Sequence, residues 1–494
     1  MSGRTSNSTV GALPDTTVES PFVSVALTWL AWSLFAASVV ALAARVRFGG
    51  PWAIPGLVAV DGLTVLLWTV VSFFSGIVHS YSRRYMAGSR YEADFFVAVF
   101  GFTVVVMALV AADHLALFAA LWLAMGLVMA ELIGAVDGWK QAQAAASVAR
   151  KYFLASGALL GVALAVLWRA TGATTVSGVA ASADGLGGPV WLGAAVALVL
   201  AAMIQSALVP FHGWLLSSMT APTPASALMH AGFVNAGGIL LTRFASVITV
   251  DTGLMLGIVA VGATSALLGK LLKAVQTDVK SELGCSTVGQ MGFMIMQAGF
   301  GFFGAAITHL VLHGFYKAYH FLSAGGRVEH ASPTENDSRE TGLTDAVVIL
   351  LTGLAGGAVF AALTGKGTSV DSGLLLVLFV VLTTLHAAYS VVERASLPTT
   401  VRYGAVPLVF LPAITVYALV YEAVSALLTG LPVVAAPTEL SALHALVGIV
   451  FLAAYVGIET GIHERSGRLY VVLVNASQPA SSTLLTATEE YNEY

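Results

Sequence analysis

The feature that most constrains this chain is a succession of apolar runs, each long enough to cross a bilayer, separated by short polar connections. A helix of ~20 apolar residues matches the ~30 Å hydrocarbon core of a membrane, whereas a membrane β-strand needs only ~10 alternating residues. Inside a bilayer the backbone has no water to bond, so a helix or a closed barrel is the only way across. The length of the runs selects helices. Composition agrees: 57% of the residues are hydrophobic and 10% charged, less than half of the ~25% that wets an ordinary globular surface. A soluble enzyme and a disordered chain are excluded. A net charge of −4 gives no hold on nucleic-acid phosphate. A single cysteine, Cys285, leaves no disulfide, iron–sulfur or thiolate zinc site within the chain.

The runs predict an all-α, multi-pass membrane protein with about fourteen transmembrane helices. They lie near 22–45, 58–79, 94–112, 114–134, 148–169, 189–219, 224–248, 253–275, 287–301, 303–325, 343–364, 372–392, 404–428 and 440–462. Residues 1–20 form a polar segment; the apolar run after it is too long, and lacks the basic lead, for a secretory signal, so it reads as the first span. The organisation is then N-terminal helices over 21–112, a core over 113–330, a charged loop at 331–342, C-terminal helices over 343–462 and a polar, acidic tail over 463–494. Arg83, Arg84, Arg90, Lys140, Arg150 and Lys151 share one side, which the positive-inside rule makes cytoplasmic; Arg45 and Arg47 fall opposite and argue against it.

One span carries a break. Gln205-Ser-Ala-Leu-Val-Pro-Phe-His-Gly-Trp214 places Pro210 inside an apolar run, with Gln205 and His212 on either side. Proline removes a donor from the helical ladder, and at membrane depth that is tolerated only where protein or a watery cavity covers the freed carbonyls.

Ionisable groups within membrane spans are expensive and mark function by default. The strongest set is His309-Leu-Val-Leu-His-Gly-Phe-Tyr-Lys-Ala-Tyr-His320. At 100° per residue His309, His313, Lys317 and His320 stand at about 0°, 40°, 80° and 20°, on one helix face. Histidine titrates near neutrality, so such a line bridged by water can pass protons. The spacing of His309 and His313 also suits a metal, but no Glu lies between them as in a zinc-protease helix and no third ligand is evident. Weaker candidates are Glu131, Lys280, Asp278 and His230, with Lys270 and Lys273 placed to snorkel toward headgroups.

Several motifs then resemble a known family: Pro224-Ala-Ser-Ala-Leu-Met-His-Ala-Gly232, Gln276-Thr-Asp-Val-Lys280, Ser286-Thr-Val-Gly-Gln-Met-Gly-Phe-Met294 and the His309 segment, with Asp61-Gly-Leu-Thr64 and His79-Ser-Tyr-Ser-Arg-Arg-Tyr-Met86 before them. In this order they resemble the antiporter-like subunits shared by respiratory complex I and the Mrp cation antiporters. The resemblance implies two inverted-topology helical bundles with broken helices, and buried Lys, Glu and His forming a proton axis through residues 113–330. His230-Ala-Gly-Phe-Val-Asn-Ala-Gly-Gly238 and Leu469-Tyr-Val-Val-Leu-Val-Asn-Ala-Ser-Gln-Pro479 are most similar to the family's inorganic-carbon branch. That likeness implies a subunit of the cell membrane that conducts protons or sodium. It would carry no catalysis or cofactor of its own, and its partner would be a peripheral zinc protein similar to β-carbonic anhydrases. The alternative is a proton-translocating subunit among complex I-like or Mrp membrane partners; a third reading is a scaffold that only anchors a soluble enzyme.

Two departures separate these readings. Complex I subunits usually place Glu directly after the Trp that is here Trp122; this chain has Leu123, and Glu131 follows eight residues later. The broken-helix Lys of that family falls on Gln205, an amide that bonds water but does not exchange a proton near neutrality. A single downhill conduit is therefore expected, rather than a redox-driven pump.

Overall fold

The computed structural model describes residues 22–185, 187–327, 342–392, 399–431, 440–459 and 466–483. The polar segment 1–20, nearly all of the loop 331–342 and the acidic end of the tail lie outside them.

The chain runs α1 (Phe22–Phe48), a hairpin of β1 (Trp52–Ile54) and β2 (Val58–Val60), α2 (Gly62–Tyr85), α3 (Glu92–Ala111), α4 (Leu115–Ile133), α5 (Lys140–Thr171) and α6 (Val176–Ala181). It continues with α7 (Gly188–Gln205), α8 (Gly213–Ser217), α9 (Thr223–Ala231), α10 (Ala236–Arg243), α11 (Ala245–Ile248), α12 (Thr252–Ala274), α13 (Val279–Gly299) and α14 (Phe303–Leu322). The last helices are α15 (Leu343–Thr364), α16 (Gly373–Val392), α17 (Thr399–Leu428), α18 (Ala442–Glu459) and the short α19 (Gly467–Ala476).

Among the described residues, 10 helical stretches are long and apolar enough to cross a membrane, fewer than the roughly fourteen expected. Four of the expected runs fall outside that set: α13 and α14, and α16 and α18, whose apolar stretches among the described residues are shorter than 18 residues. Helices α13 and α14 are of spanning length, 21 and 20 residues, but carry Lys, Glu and His that lower their apolarity. The hairpin replaces the start of the expected span 58–79: Trp52 pairs with Val60 in antiparallel register, and α2 begins only at Gly62, capped by Asp61. The run 189–219 is likewise two helices, since α7 ends at Gln205 and α8 starts at Gly213. The run 224–248 has an interruption that the sequence did not announce, a 3-10 turn at Phe233–Asn235 between α9 and α10.

Two devices hold the centre. Helices α12 and α13 touch backbone to backbone: a Cβ on Gly269 would stand 2.2 Å from Gly289 N, and one on Gly262 2.6 Å from Met296 N. Small residues at such crossings are how helices associate in lipid, where apolar burial gives no drive. The second is an ion pair between Asp61, just outside α2, and Arg243 at the end of α10; Arg243 Nη2 also donates to Thr64 Oγ1 and Val110 O, both at 2.7 Å. Burial pushes the Asp61 carboxyl up, but Arg243 and the bonds to Thr64 outweigh it and hold the group below the usual carboxylate range. A small cavity of about 30 Å³ lies among α2, α3, α4, α9 and α14, lined by Phe74, Phe102, Trp122, Met125 and Leu310. A void of that size with apolar walls stays dry.

Candidate functional site

Helices α9, α13 and α14 converge on a buried line of polar side chains. Lys317 has no exposed surface, and its Nζ donates to Leu283 O across the α13–α14 contact at 2.7 Å. The same carbonyl accepts from Thr287 Oγ1 at 2.8 Å. Thr287 in turn stands 2.9 Å from His230 Nδ1. Because the Thr287 proton goes to Leu283 O, its oxygen must accept from His230, which fixes the Nδ1–H tautomer and leaves Nε2 an acceptor. Among the described residues that Nε2 has no hydrogen-bond partner, and neither do Nε2 of His313 and of His309. Three open imidazole nitrogens at membrane depth are the opposite of a settled core, where buried polar atoms are paired.

Geometry draws the line tight. His230 stacks on Phe321 with ring centres 4.3 Å apart, which fixes its plane. A Cβ on Gly314 would meet Phe74 at 2.7 Å and Ala231 O at 3.0 Å, so only glycine lets α14 come this close to α9 beside His313. The rings of His309 and His313 lie parallel, 5.7 Å apart. Lys317, His309 and His230 are the charged or titratable neighbours of His313. Lys280 stands at the mouth, its Nζ donating to Ala221 O at 2.8 Å and reaching Met219 O at 3.4 Å, in the turn before α9.

The remaining predicted residues fall elsewhere. His320 is half-buried against Tyr316 and Tyr319 at the end of α14. Asp278 is exposed and caps α13 through Ser281 N at 2.9 Å. Glu131 is exposed and pairs with Arg150 at 2.6 Å. The break at Pro210 closes on protein: Ser206 Oγ donates to Val234 O at 2.6 Å, Trp214 Nε1 to Ile204 O at 2.9 Å, and Val209 N to Ser265 Oγ at 3.2 Å. Gln205 is fully buried there, and among the described residues neither amide atom is bonded. His212, half-buried, turns from the break to Ala476 O of α19 at 3.0 Å. Among the described residues no three His, Cys, Asp or Glu side chains gather where they could hold a metal.

Thr287 and the Leu283 carbonyl were not foreseen. A threonine inside a helix carries no sequence signal, and its role exists only because α9 brings His230 to it from 57 residues away.

Comparison with known proteins gives the arrangement a family. A model for the transmembrane region of NADH:quinone oxidoreductase and Mrp antiporters matches residues 112–352, and one for the N-terminus of complex I chain 5 matches 50–96. The chain is 39% identical over 248 residues to a probable inorganic carbon transporter subunit DabB of Bacillus subtilis, covering 50% of this chain and 49% of that one. It is 35% identical over 243 residues to NADH-quinone oxidoreductase subunit L of Mycobacterium tuberculosis, covering 48% of this chain and 38% of that one. The chain thus spans about half the length, or less, of these curated relatives. The Mrp complex from Dietzia sp. DQ12-45-1b shares the fold with a TM-score of 0.55 at 22% identity, over 96% of this chain and 52% of that chain. Residues 50–96 and 112–352 are thus similar to membrane subunits of the complex I and Mrp antiporter type.

Proposed function

We propose that this chain is the proton-conducting membrane subunit of an inorganic-carbon uptake complex in the cell membrane. The observation that carries the reading is the line Lys317, Thr287, His230, His313 and His309, in which three imidazole Nε2 atoms have no hydrogen-bond partner among the described residues. Lys317 is linked to His230 through Leu283 O and Thr287, and His313 lies one helical turn before it on α14. His309 continues the line toward the other end of α14. Sodium fits this line less well than a proton: the open ligands are nitrogens, and a hard cation takes oxygen ligands. Lys317 would also repel it.

The chain itself supplies conduction and no catalysis. Its likeness to the DabB subunit supports a DabA-like zinc protein as partner, docked on the cytoplasmic face, where inward proton flow makes hydration of CO2 to bicarbonate one-way. The neutral Leu123 and Gln205 favour this reading over a redox-coupled pump among complex I-like or Mrp subunits, because two of that family's exchange positions hold no ionisable group.

The test is expression, with the neighbouring reading frame, in a host that needs elevated CO2. Growth at ambient CO2 and co-purification with a zinc protein are expected. Co-purification with quinone-reducing subunits and no inorganic-carbon phenotype would overturn the proposal.

A further inference from the structure

The interruption between α9 and α10 puts a side-chain amide beside the histidine line. A helix that ends stops donating to its last carbonyls, and the 3-10 turn at Phe233–Asn235 ends α9 just after His230 and Ala231. Both of these main-chain groups meet α14. A Cβ on Gly314 would stand 3.0 Å from Ala231 O, and the ring of the residue before it, His313, lies beside the main chain of His230. Asn235 reaches back to the first of them, its Nδ2 donating to Ala231 O at 2.8 Å. A carbonyl only accepts, so this bond also settles which end of the amide is which. The other end, Oδ1, belongs to a fully buried side chain and has no hydrogen-bond partner among the described residues.

The Asn235 amide and the His313 ring are therefore neighbours. Successive carbonyl oxygens of a helix lie about 3–4 Å apart, and the two side chains sit on successive residues, Ala231 and His230. Leu310, one turn before Gly314, lines the same void as Ala231, Gly232 and Ala236, so α14 faces this stretch over a full turn. His313 Nε2 is open as well. In a neutral ring whose proton sits on Nδ1, Nε2 is an acceptor like Oδ1, and two acceptors do not bond. That accounts for two unpaired polar atoms in one buried place, where such atoms are ordinarily paired. A proton on Nε2 reverses the situation, because its N–H then donates and Oδ1 accepts. The charged or titratable groups facing His313 are Lys317 and His309 on α14 and His230 on α9. None of them is acidic, so a neutral oxygen is what this site offers an imidazolium.

We propose that Asn235 is a positioning residue of the conduit, its Oδ1 the acceptor that holds the imidazolium of His313 while a proton passes. The inference rests on the conduction reading above. The proton arrives on His313 Nε2, and the new N–H bonds Oδ1. It leaves for the open Nε2 of His309 or His230, and Oδ1 is open again; the amide itself neither gains nor loses a proton. An amide suits this task because it anchors with one end and accepts with the other. A carboxylate in its place would compete for the proton instead of steadying it.

The experiment is proton flux into liposomes under an imposed potential, measured on the full chain with its co-purifying subunit. Asn235→Ser keeps the bond to Ala231 O, in the way that Thr242 and Thr287 bond the carbonyl four residues before them. Its oxygen stops one bond short of Oδ1. Flux is expected to fall about tenfold, the weight of a hydrogen bond to a charged group, with an unchanged melting temperature. The double variant with His313→Gln should be no slower than His313→Gln alone, because Asn235 acts through that ring. A loss that multiplies the loss of His313→Gln marks a packing role and overturns the proposal. Wild-type flux in Asn235→Ser, alongside a silent Lys317→Ala, also overturns it and leaves the conduction reading standing. Wild-type flux in Lys317→Ala overturns the conduction reading itself. If Asn235→Ser does not assemble, Asn235→Thr, which makes the same bond to Ala231 O, decides by the same two readings.

Discussion

Helices α4, α5 and α7 on one side, and α9, α13 and α14 on the other, are opposite in chemistry. On the first side every ionisable candidate has left the interior. Glu131 is out on the surface with Arg150, and Gln205, fully buried, carries no charge. Two polar side chains there are satisfied locally: Trp122 Nε1 donates to Ser156 Oγ at 3.1 Å, and Ser156 Oγ to Ala201 O at 2.9 Å, while the Gln205 amide, which does not titrate, is unbonded among the described residues. On the second side Lys317, His230 and His313 are buried together with nitrogens left open. Burial alone therefore does not mark a conduit. What marks it is burial of titratable groups whose bonding capacity is not used up by their own helices.

The largest break in that comparison is expected at Lys317. Lys317→Ala removes the one fully buried cation of the line and is expected to lower proton flux about a hundredfold or more. The protein should melt no lower than wild type, because an isolated buried charge is a net cost to the fold. Flux assays and melting curves on the same preparation check both halves. Next comes His230. His230→Gln keeps a donor for Thr287 but removes the acceptor that titrates, so flux should fall about tenfold. A variant that conducts as wild type would reduce His230 to a packing residue stacked on Phe321.

The sequence carried this contrast unevenly. The face shared by His309, His313 and Lys317 was legible because helical spacing is a local property, and so was the break, because proline acts on its own helix. Residues whose roles depend on a distant partner were not. Glu131 looked like a member of the axis until the fold brought Arg150 to it. Asp278, a candidate in a polar stretch that also reads as a solvated turn, caps α13. Thr287 and the interruption at Phe233–Asn235 have no local signature at all, since both answer to helices packed against them. Near the ends of helices, periodicity locates a charged residue but does not say whether it caps, pairs at the surface or turns inward.

Gln205 tests whether the first side is dry. Both amide atoms of a fully buried side chain are unbonded among the described residues, so Gln205→Leu should raise stability by about 1 kcal/mol, the desolvation cost that an unsatisfied amide leaves. Gln205→Lys should lower it by about 2–4 kcal/mol and reduce expression, as a cation placed in an apolar site does. Thermal melting of the purified variants reads both. A well-expressed, stable Gln205→Lys protein would mean that the break is hydrated and that the two sides differ in residue type, not in water.

The smallest effect is expected at Glu131, and its smallness is the point. The Glu131 and Arg150 side chains are 68% and 45% exposed, and an ion pair held in that much solvent contributes about 0–1 kcal/mol. Lys and Arg side chains also lose rotamer freedom when they pair, which offsets part of that gain. Glu131→Gln removes the charge, keeps the length and leaves Arg150 in water, so melting should move by less than about 2 °C for a chain of this size. Flux should stay within about twofold of wild type, because no member of the line on α9, α13 and α14 touches it. A carboxylate serving the conduit would behave differently: its neutralisation would stop exchange while leaving the melting curve alone. Loss of flux in Glu131→Gln with an unchanged melting curve would therefore return the first side of the molecule to the proton path, and would make Arg150 its gate rather than its surface partner.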